Sequence, residues 1–206
     1  MILVAVDDDL ARAWERYCRD LPDVEFYRGS ILDVRCDAVV SPTNSFGLMD
    51  GGVDAVYVER FGVRIEARVR DQILEHHSGE LLVGDADIVE TGDSEVPFLI
   101  CAPTMRVPMR VNRSVNPYLA ARAVMRLMRH GHFRGAPFPG VAVRDLVSVV
   151  AMPGLGTGTG GVGPRKCARQ VRAAYEDVVM GRFTMPATLA QASARHEALA
   201  VDRPRR

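Results

Sequence analysis

The chain has 206 residues, 48% of them hydrophobic, enough for one domain with a buried core and at most a short extension. Its 26 basic and 26 acidic side chains cancel to a formal net charge of zero, which argues against a dedicated nucleic-acid binder. Cys18, Cys36, Cys101 and Cys167 fit no metal-binding spacing, no apolar run is as long as a membrane span, and Met1–Val6 runs straight into Asp7–Asp9 without a leader pattern; a cytoplasmic protein with free thiols and no metal is expected.

Ile2–Val6 reads as a buried strand, and Leu10–Tyr17 as a short helix capped by one of Asp7, Asp8 or Asp9. Val24–Tyr27 is a second strand ahead of Gly29, and Ala38–Val40 a third. The third strand empties into Ser41–Asp54, which holds Asn44, the pair Gly51-Gly52, and two carboxylates, Asp50 and Asp54. An apolar run that stops in small, polar and glycine residues is how an α/β sheet presents a ligand at its strand ends. Glycines let the backbone approach and leave N–H groups pointing at an anion. Val53–Arg60 and Val63–His76 then read as helices, the second with Ile65, Val69 and Ile73 recurring every four residues. His76-His77 reads as a solvated helix end rather than a metal site.

Asp87–Glu90 and Phe98–Ala102 are the next strands, and the prolines of Pro103–Pro108 make a stiff loop at the ligand edge. Asn116-Pro117 opens a helix, with Asn as cap and Pro in the first turn. Its apolar face is read as Leu119, Ala123 and Leu127, and its solvated face as Arg122, Arg126 and Arg129. Leu146–Met152 is a continuous apolar strand, and Gly154–Gly163 has six glycines in ten residues. Pro164 starts a helix whose stripe is Cys167, Val171, Ala174, Tyr175 and Val178. This alternation predicts a three-layer α/β/α domain with a mixed sheet over residues 1–181, and a peripheral helix or tail over 182–206.

The second glycine loop has phosphate-site geometry: free N–H groups, little side-chain obstruction, and the positive end of a helix. It is not a P-loop, because Gly163 is followed by Pro164-Arg165 instead of Lys-Ser/Thr. Gly156, Gly158 and Gly161 do match G-x-G-x-x-G, but late in the chain and without an acid at the end of a following strand, so a dinucleotide fold is disfavoured.

Taken together, these segments resemble the macro domain, the ADP-ribose-binding module, from about Val24 to Val179. Gly29-Ser-Ile-Leu32 stands where that family has Gly-Asp-Ile-Thr. Asp37-Ala-Val-Val-Ser-Pro-Thr-Asn44 is similar to its Asp-Ala-Ile-Val-Asn-Ala-Ala-Asn, Gly51-Gly-Val-Asp54 to the end of its Gly-Gly-Gly-Gly-Val-Asp, and Met152–Gly158 to its Pro-Ala-Ile-Ser-Thr-Gly. The resemblance implies a three-layer fold with a mixed, mostly parallel sheet, and ADP-ribose as ligand without a further cofactor. It implies contacts from Ser30, Ile31, Gly51, Gly52 and Val53 on one side, and from Gly154, Gly156, Thr157, Gly158, Thr159 and Gly160 on the other. In the hydrolase branch an Asn and an Asp ten residues apart bracket the distal ribose, and Asn44 and Asp54 keep both identity and spacing. Asn44 is then expected to hydrogen-bond that ribose, and Asp54 to activate the attacking water.

Three positions depart from the family. Ser30 replaces the acid that reads the adenine amino group, Ser41 the first Asn of Asn-Ala-Ala-Asn, and Gly160 the aromatic that stacks on the distal ribose. Phe46 and Tyr57 are the aromatics that could supply replacement contact, and both read as packing residues. The expected function is hydrolysis of an ADP-ribosyl linkage on a modified macromolecule or of a free ADP-ribose derivative (Appr-1''-p processing). Non-catalytic ADP-ribose binding is the alternative, and a structural domain without a nucleotide ligand the third reading.

Overall fold

The structure is a computed structural model that describes residues 1–201. Asp7 opens the first helix by accepting the Leu10 N–H at 2.8 Å, so strand β1 (Ile2–Ala5) turns directly into helix α1 (Asp8–Cys18). Strand β2 (Glu25–Arg28) follows, then a single 3₁₀ turn and strand β3 (Ala38–Ser41). Helices α2 (Gly52–Phe61) and α3 (Arg64–His77) lead to strands β4 (Asp87–Glu90) and β5 (Phe98–Cys101). Helix α4 (Asn116–His130), the short helix α5 (Val143–Leu146), strand β6 (Val150–Met152), and helices α6 (Pro164–Val178) and α7 (Leu189–Ala200) complete the order.

The six strands form one sheet in the order β2-β1-β6-β3-β5-β4, parallel except for β4 against β5. Successive strand residues point to opposite faces. Leu3, Ala38, Val40, Ile100 and Met152 join the core shared with α1, α4 and α6, whereas Val4, Val39, Leu99 and Ala151 join the core under α2 and α3. Burial on both faces is why these strands read as unbroken apolar runs. This is the three-layer α/β/α architecture with a mixed, mostly parallel sheet.

Several local expectations are corrected. The strand expected over Leu146–Met152 is confined to Val150–Met152, with a helical turn before it. The cause is Asp37, whose Oδ2 accepts the N–H groups of Ser148 and Val149, both at 2.8 Å, and takes them out of any strand ladder. Asn116 is not the cap of α4: it is the first helical residue, and its side-chain amide donates to the Thr104 carbonyl at 2.8 Å. Helix α4 buries Tyr118, Ala121, Val124 and Met125 as well as Ala123, with Leu119 and Leu127 only half-buried, because both the sheet and α6 press on it.

The arginine face of α4 is only partly solvated. Arg122 lies over the Phe183 ring, and Arg129 donates to the carbonyls of Val178 and Val179. His77 is no solvated helix end either: its Nε2 lies 2.7 Å from Oδ2 of Asp87, which is 2% exposed. Helix α7 buries none of its residues. It is held by the Arg169 and Gln170 side chains on its last carbonyls and by the Arg195–Asp177 ion pair. Residues 202–206, the end of the expected tail, lie outside the described residues.

Candidate functional site

A cleft of about 290 Å³ opens at the C-terminal ends of β1, β6, β3 and β5. This is where an α/β sheet places its ligand. The strand order gives the cleft a direction. The β1 flank is apolar, with Val4, Val6, Leu10 and Ile31, and carries Asp7 at its edge. The middle is the loop after β6, where Gly154, Gly156, Thr157, Gly158, Thr159 and Gly160 line the wall. The β3 flank brings Thr43, Asn44, Gly51, Gly52, Val53 and Asp54, and Thr104, Met105 and Pro108 from the loop after β5 close it.

The glycines serve the cleft in two ways. Gly52 and Gly156 sit at φ of +61° and +66°, backbone that a β-carbon disfavours. Gly51 and Gly158 have ordinary backbone, but a β-carbon on either meets nothing within 4 Å. Both line the cleft, so a side chain there enters ligand space. Gly160 is different. A β-carbon there falls 2.5 Å from the Gly156 carbonyl oxygen and 2.7 Å from Val111 Cγ2. No aromatic fits at this position. Tyr57 and Phe46 do not line the cleft: Tyr57 is buried with its hydroxyl on the Val40 carbonyl, and Phe46 lies under Arg106.

Among the residues expected to contact ligand, Ser30 is the one that stays outside the cleft wall. Its hydroxyl accepts the Leu32 N–H at 3.3 Å and caps the 3₁₀ turn. A serine before such a turn favours this local bond. Asn44 lines the wall, yet most of its amide serves its own loop. Oδ1 accepts the N–H groups of Phe46 and Leu48, and Nδ2 donates to the Leu48 carbonyl at 2.7 Å. An amide has two N–H donors, so one remains for the cleft.

Asp54 lies in the first turn of α2 and is 7% exposed. Its Oδ1 receives the Ser41 hydroxyl at 2.6 Å. Oδ2 has no hydrogen-bond partner among the described residues, and Asp54 is part of the cleft wall. Burial pushes the carboxyl from the ordinary 3.8 up to about 7; the Ser41 bond pulls it back down and the charge of Asp50 adds to the rise. A carboxyl poised there exchanges a proton near neutrality, which is what a general base requires.

Thr43, Asp7, Val4, Val6 and Leu10 line the cleft without being among the contacts expected from the sequence. The rule that selected the end of β3 applies equally to β1, and would have found the last four. Thr43 Oγ1 is buried without a hydrogen-bond partner among the described residues. An unpaired buried hydroxyl costs about 1–3 kcal/mol, whereas an apolar group of the same shape does not. Thr43→Val is therefore expected to raise the unfolding free energy by about 1 kcal/mol, read from urea denaturation of the two proteins. A loss of stability would show that the hydroxyl is satisfied in solution.

Fold and cleft define an α/β ligand-binding domain with glycine-lined walls and a buried carboxylate. The model of the Macro domain family matches residues 40–171. An uncharacterized protein of Aquifex aeolicus is 32% identical over 156 residues, 76% of this chain and 81% of its own length. Another, of Aeropyrum pernix, is 31% identical over 142 residues, 69% of this chain and 65% of its own. Among solved structures, the macrodomain of Mycobacterium tuberculosis DarG aligns with a TM-score of 0.58 at 19% identity, over 73% of this chain and 88% of that one. An Oceanobacillus iheyensis macrodomain with ADP also gives 0.58, at 16% identity and 74% coverage of each. The chain belongs to the macro-domain family.

Proposed function

We propose that this macro domain binds ADP-ribose or an ADP-ribosyl derivative and hydrolyses the linkage at the distal ribose. The observation that carries this reading is Asp54, a buried carboxyl poised near neutrality in the wall of a glycine-lined cleft, with one oxygen held by Ser41. The two glycine loops supply backbone N–H groups for a diphosphate, and the apolar β1 flank suits a base ring. Asp54 takes a proton from water as the water oxygen bonds to the anomeric carbon; the bond from that carbon to the carrier breaks, and the proton passes to the leaving group. The free N–H of Asn44 orients the ribose. The substrates are ADP-ribosylated macromolecules or small ADP-ribose derivatives, and the four buried free thiols suit a cytoplasmic setting. Among the described residues no helix is long and apolar enough to cross a membrane. None of them forms a group of three His, Cys, Asp or Glu able to hold a metal.

Structures of the Oceanobacillus iheyensis macrodomain carry ADP or ADPR, which supports the ligand class. A second reading, a module that binds without turnover, draws on Ser30 capping a turn outside the cleft wall and on Asn44 being largely committed to its own loop. Calorimetric titration of ADP-ribose, paired with an assay of ADP-ribose release from an ADP-ribosylated protein, separates them. Heat of binding and catalysed release are expected. Binding without release leaves the module; no heat at high micromolar ligand removes both readings.

A further inference from the structure

We propose that Ser41 is the positioning residue of Asp54: its hydroxyl occupies Oδ1, so that Oδ2 alone is presented to the substrate. The inference rests on the hydrolase reading of Asp54. Ser41 is the last residue of β3, paired in register with Cys101 of β5, and is 0% exposed. Its hydroxyl proton is given to Asp54 at 2.6 Å. A carboxylate has two chemically equivalent oxygens, and a base with a free choice between them divides its time between a productive and an unproductive geometry. The Ser41 bond removes that choice. It persists when Asp54 is protonated, because the serine then donates to the carbonyl oxygen while the proton sits on Oδ2 at the cleft.

Helix α2 is tied to β3 at a second point. Tyr57, one turn beyond Asp54, donates to the Val40 carbonyl at 3.0 Å. Two adjacent strand residues therefore receive two side chains on one helix face, which fixes the rotation of α2 as well as the carboxyl torsion. The two bonds have different duties. Tyr57 holds the helix, whereas Ser41 touches the reacting group.

The other titratable groups around Asp54 do not substitute for Ser41. Asp50, in the loop before α2, repels the ionised form. Tyr57 on α2 and Cys101 on β5 are held neutral by burial, their ionisation pushed well above the ordinary range. The serine O–H is thus the one hydrogen bond, among the described residues, that favours the ionised form of Asp54.

The test is a series at position 41 read by carboxyl-carbon NMR titration of the aspartate-labelled 206-residue chain, with the Asp54 resonance assigned by its absence in Asp54→Asn. Ser41→Ala removes the donor. Ser41→Cys keeps the shape with a weaker one. A hydrogen bond to a charged group is worth about 1.5–3 kcal/mol, so the Asp54 midpoint is expected to rise by about one to two pH units in Ser41→Ala. A smaller rise is expected in Ser41→Cys, and none in Tyr57→Phe. The acid limb of the release rate moves by the same amount in each protein, with KM unchanged. An Asp54 midpoint that stays in place in Ser41→Ala, or moves equally in Tyr57→Phe, overturns the inference. If Ser41→Ala does not fold, the Ser41→Cys shift decides alone. Absence of release in the wild type defeats the hydrolase reading, while the NMR titration still reports whether Ser41 acts on Asp54.

Discussion

Asp54→Asn is expected to lower the rate of ADP-ribose release by about 10²- to 10⁴-fold, the usual worth of a positioned general base. The affinity for ADP-ribose should change little. The amide has nearly the shape of the carboxyl, its oxygen still accepts the Ser41 hydroxyl, and the glycine walls are untouched. Only the ability to take a proton is lost. In the wild type that ability switches on as pH rises through about 7, so release should climb across neutrality and level off above it. Stability has the opposite sense. The folded carboxyl titrates near 7, against an ordinary 3.8, so the unfolded chain holds its proton less tightly than the native one. The contribution of Asp54 to stability is full below about pH 4 and is lost as pH rises toward 7. The asparagine variant escapes this loss, and should gain stability relative to wild type between pH 4 and pH 7 while it loses activity. Thermal unfolding at both pH values, beside the release assay, checks the pair of effects. A variant that is less stable at pH 7 as well as inactive would mean that Asp54 is a structural residue.

Much of the fold was legible because its signals are physical and local. Strands buried on both faces give unbroken apolar runs, as Ala38–Val40 does, and the glycine loop after β6 stands out by composition. What was not legible depends on side chains that replace backbone partners. Asp37 ends the run before β6 by taking two N–H groups, Asn116 leaves its cap position to hold Thr104, and His77 meets Asp87 across 10 residues of chain. The site divides the same way. Gly51–Asp54 and Gly154–Gly160 share one cleft, which their positions at strand ends made predictable. That Ser30 caps a turn, or that Asn44 spends three of its bonds on its own loop, follows from local geometry that residue type alone leaves open.

Two glycines of one loop should fail in different ways. Gly158→Val adds its side chain where nothing lies within 4 Å, at an ordinary backbone conformation and on the cleft wall. The fold has no reason to resist it, and the melting temperature should stay near that of the wild type. Bound phosphate would need the same volume, and forcing groups into filled space costs about 1–3 kcal/mol, so ADP-ribose is expected to bind about five- to 150-fold more weakly. Gly160→Ala reverses the pattern. Its β-carbon falls 2.5 Å from the Gly156 carbonyl oxygen and 2.7 Å from Val111, whose N–H is bonded to the Gly160 carbonyl. The backbone on one side cannot yield as a flexible side chain would, so the loop between β6 and α6 must move. The protein should be destabilised by about 1–3 kcal/mol, and any affinity lost should track the loss of folded structure. Calorimetric titration and urea denaturation of both variants give a two-by-two outcome. Retained affinity in Gly158→Val would move the diphosphate off this loop. Retained stability in Gly160→Ala would show that the 105–114 segment is not packed on the loop as tightly as the Val111 bond implies.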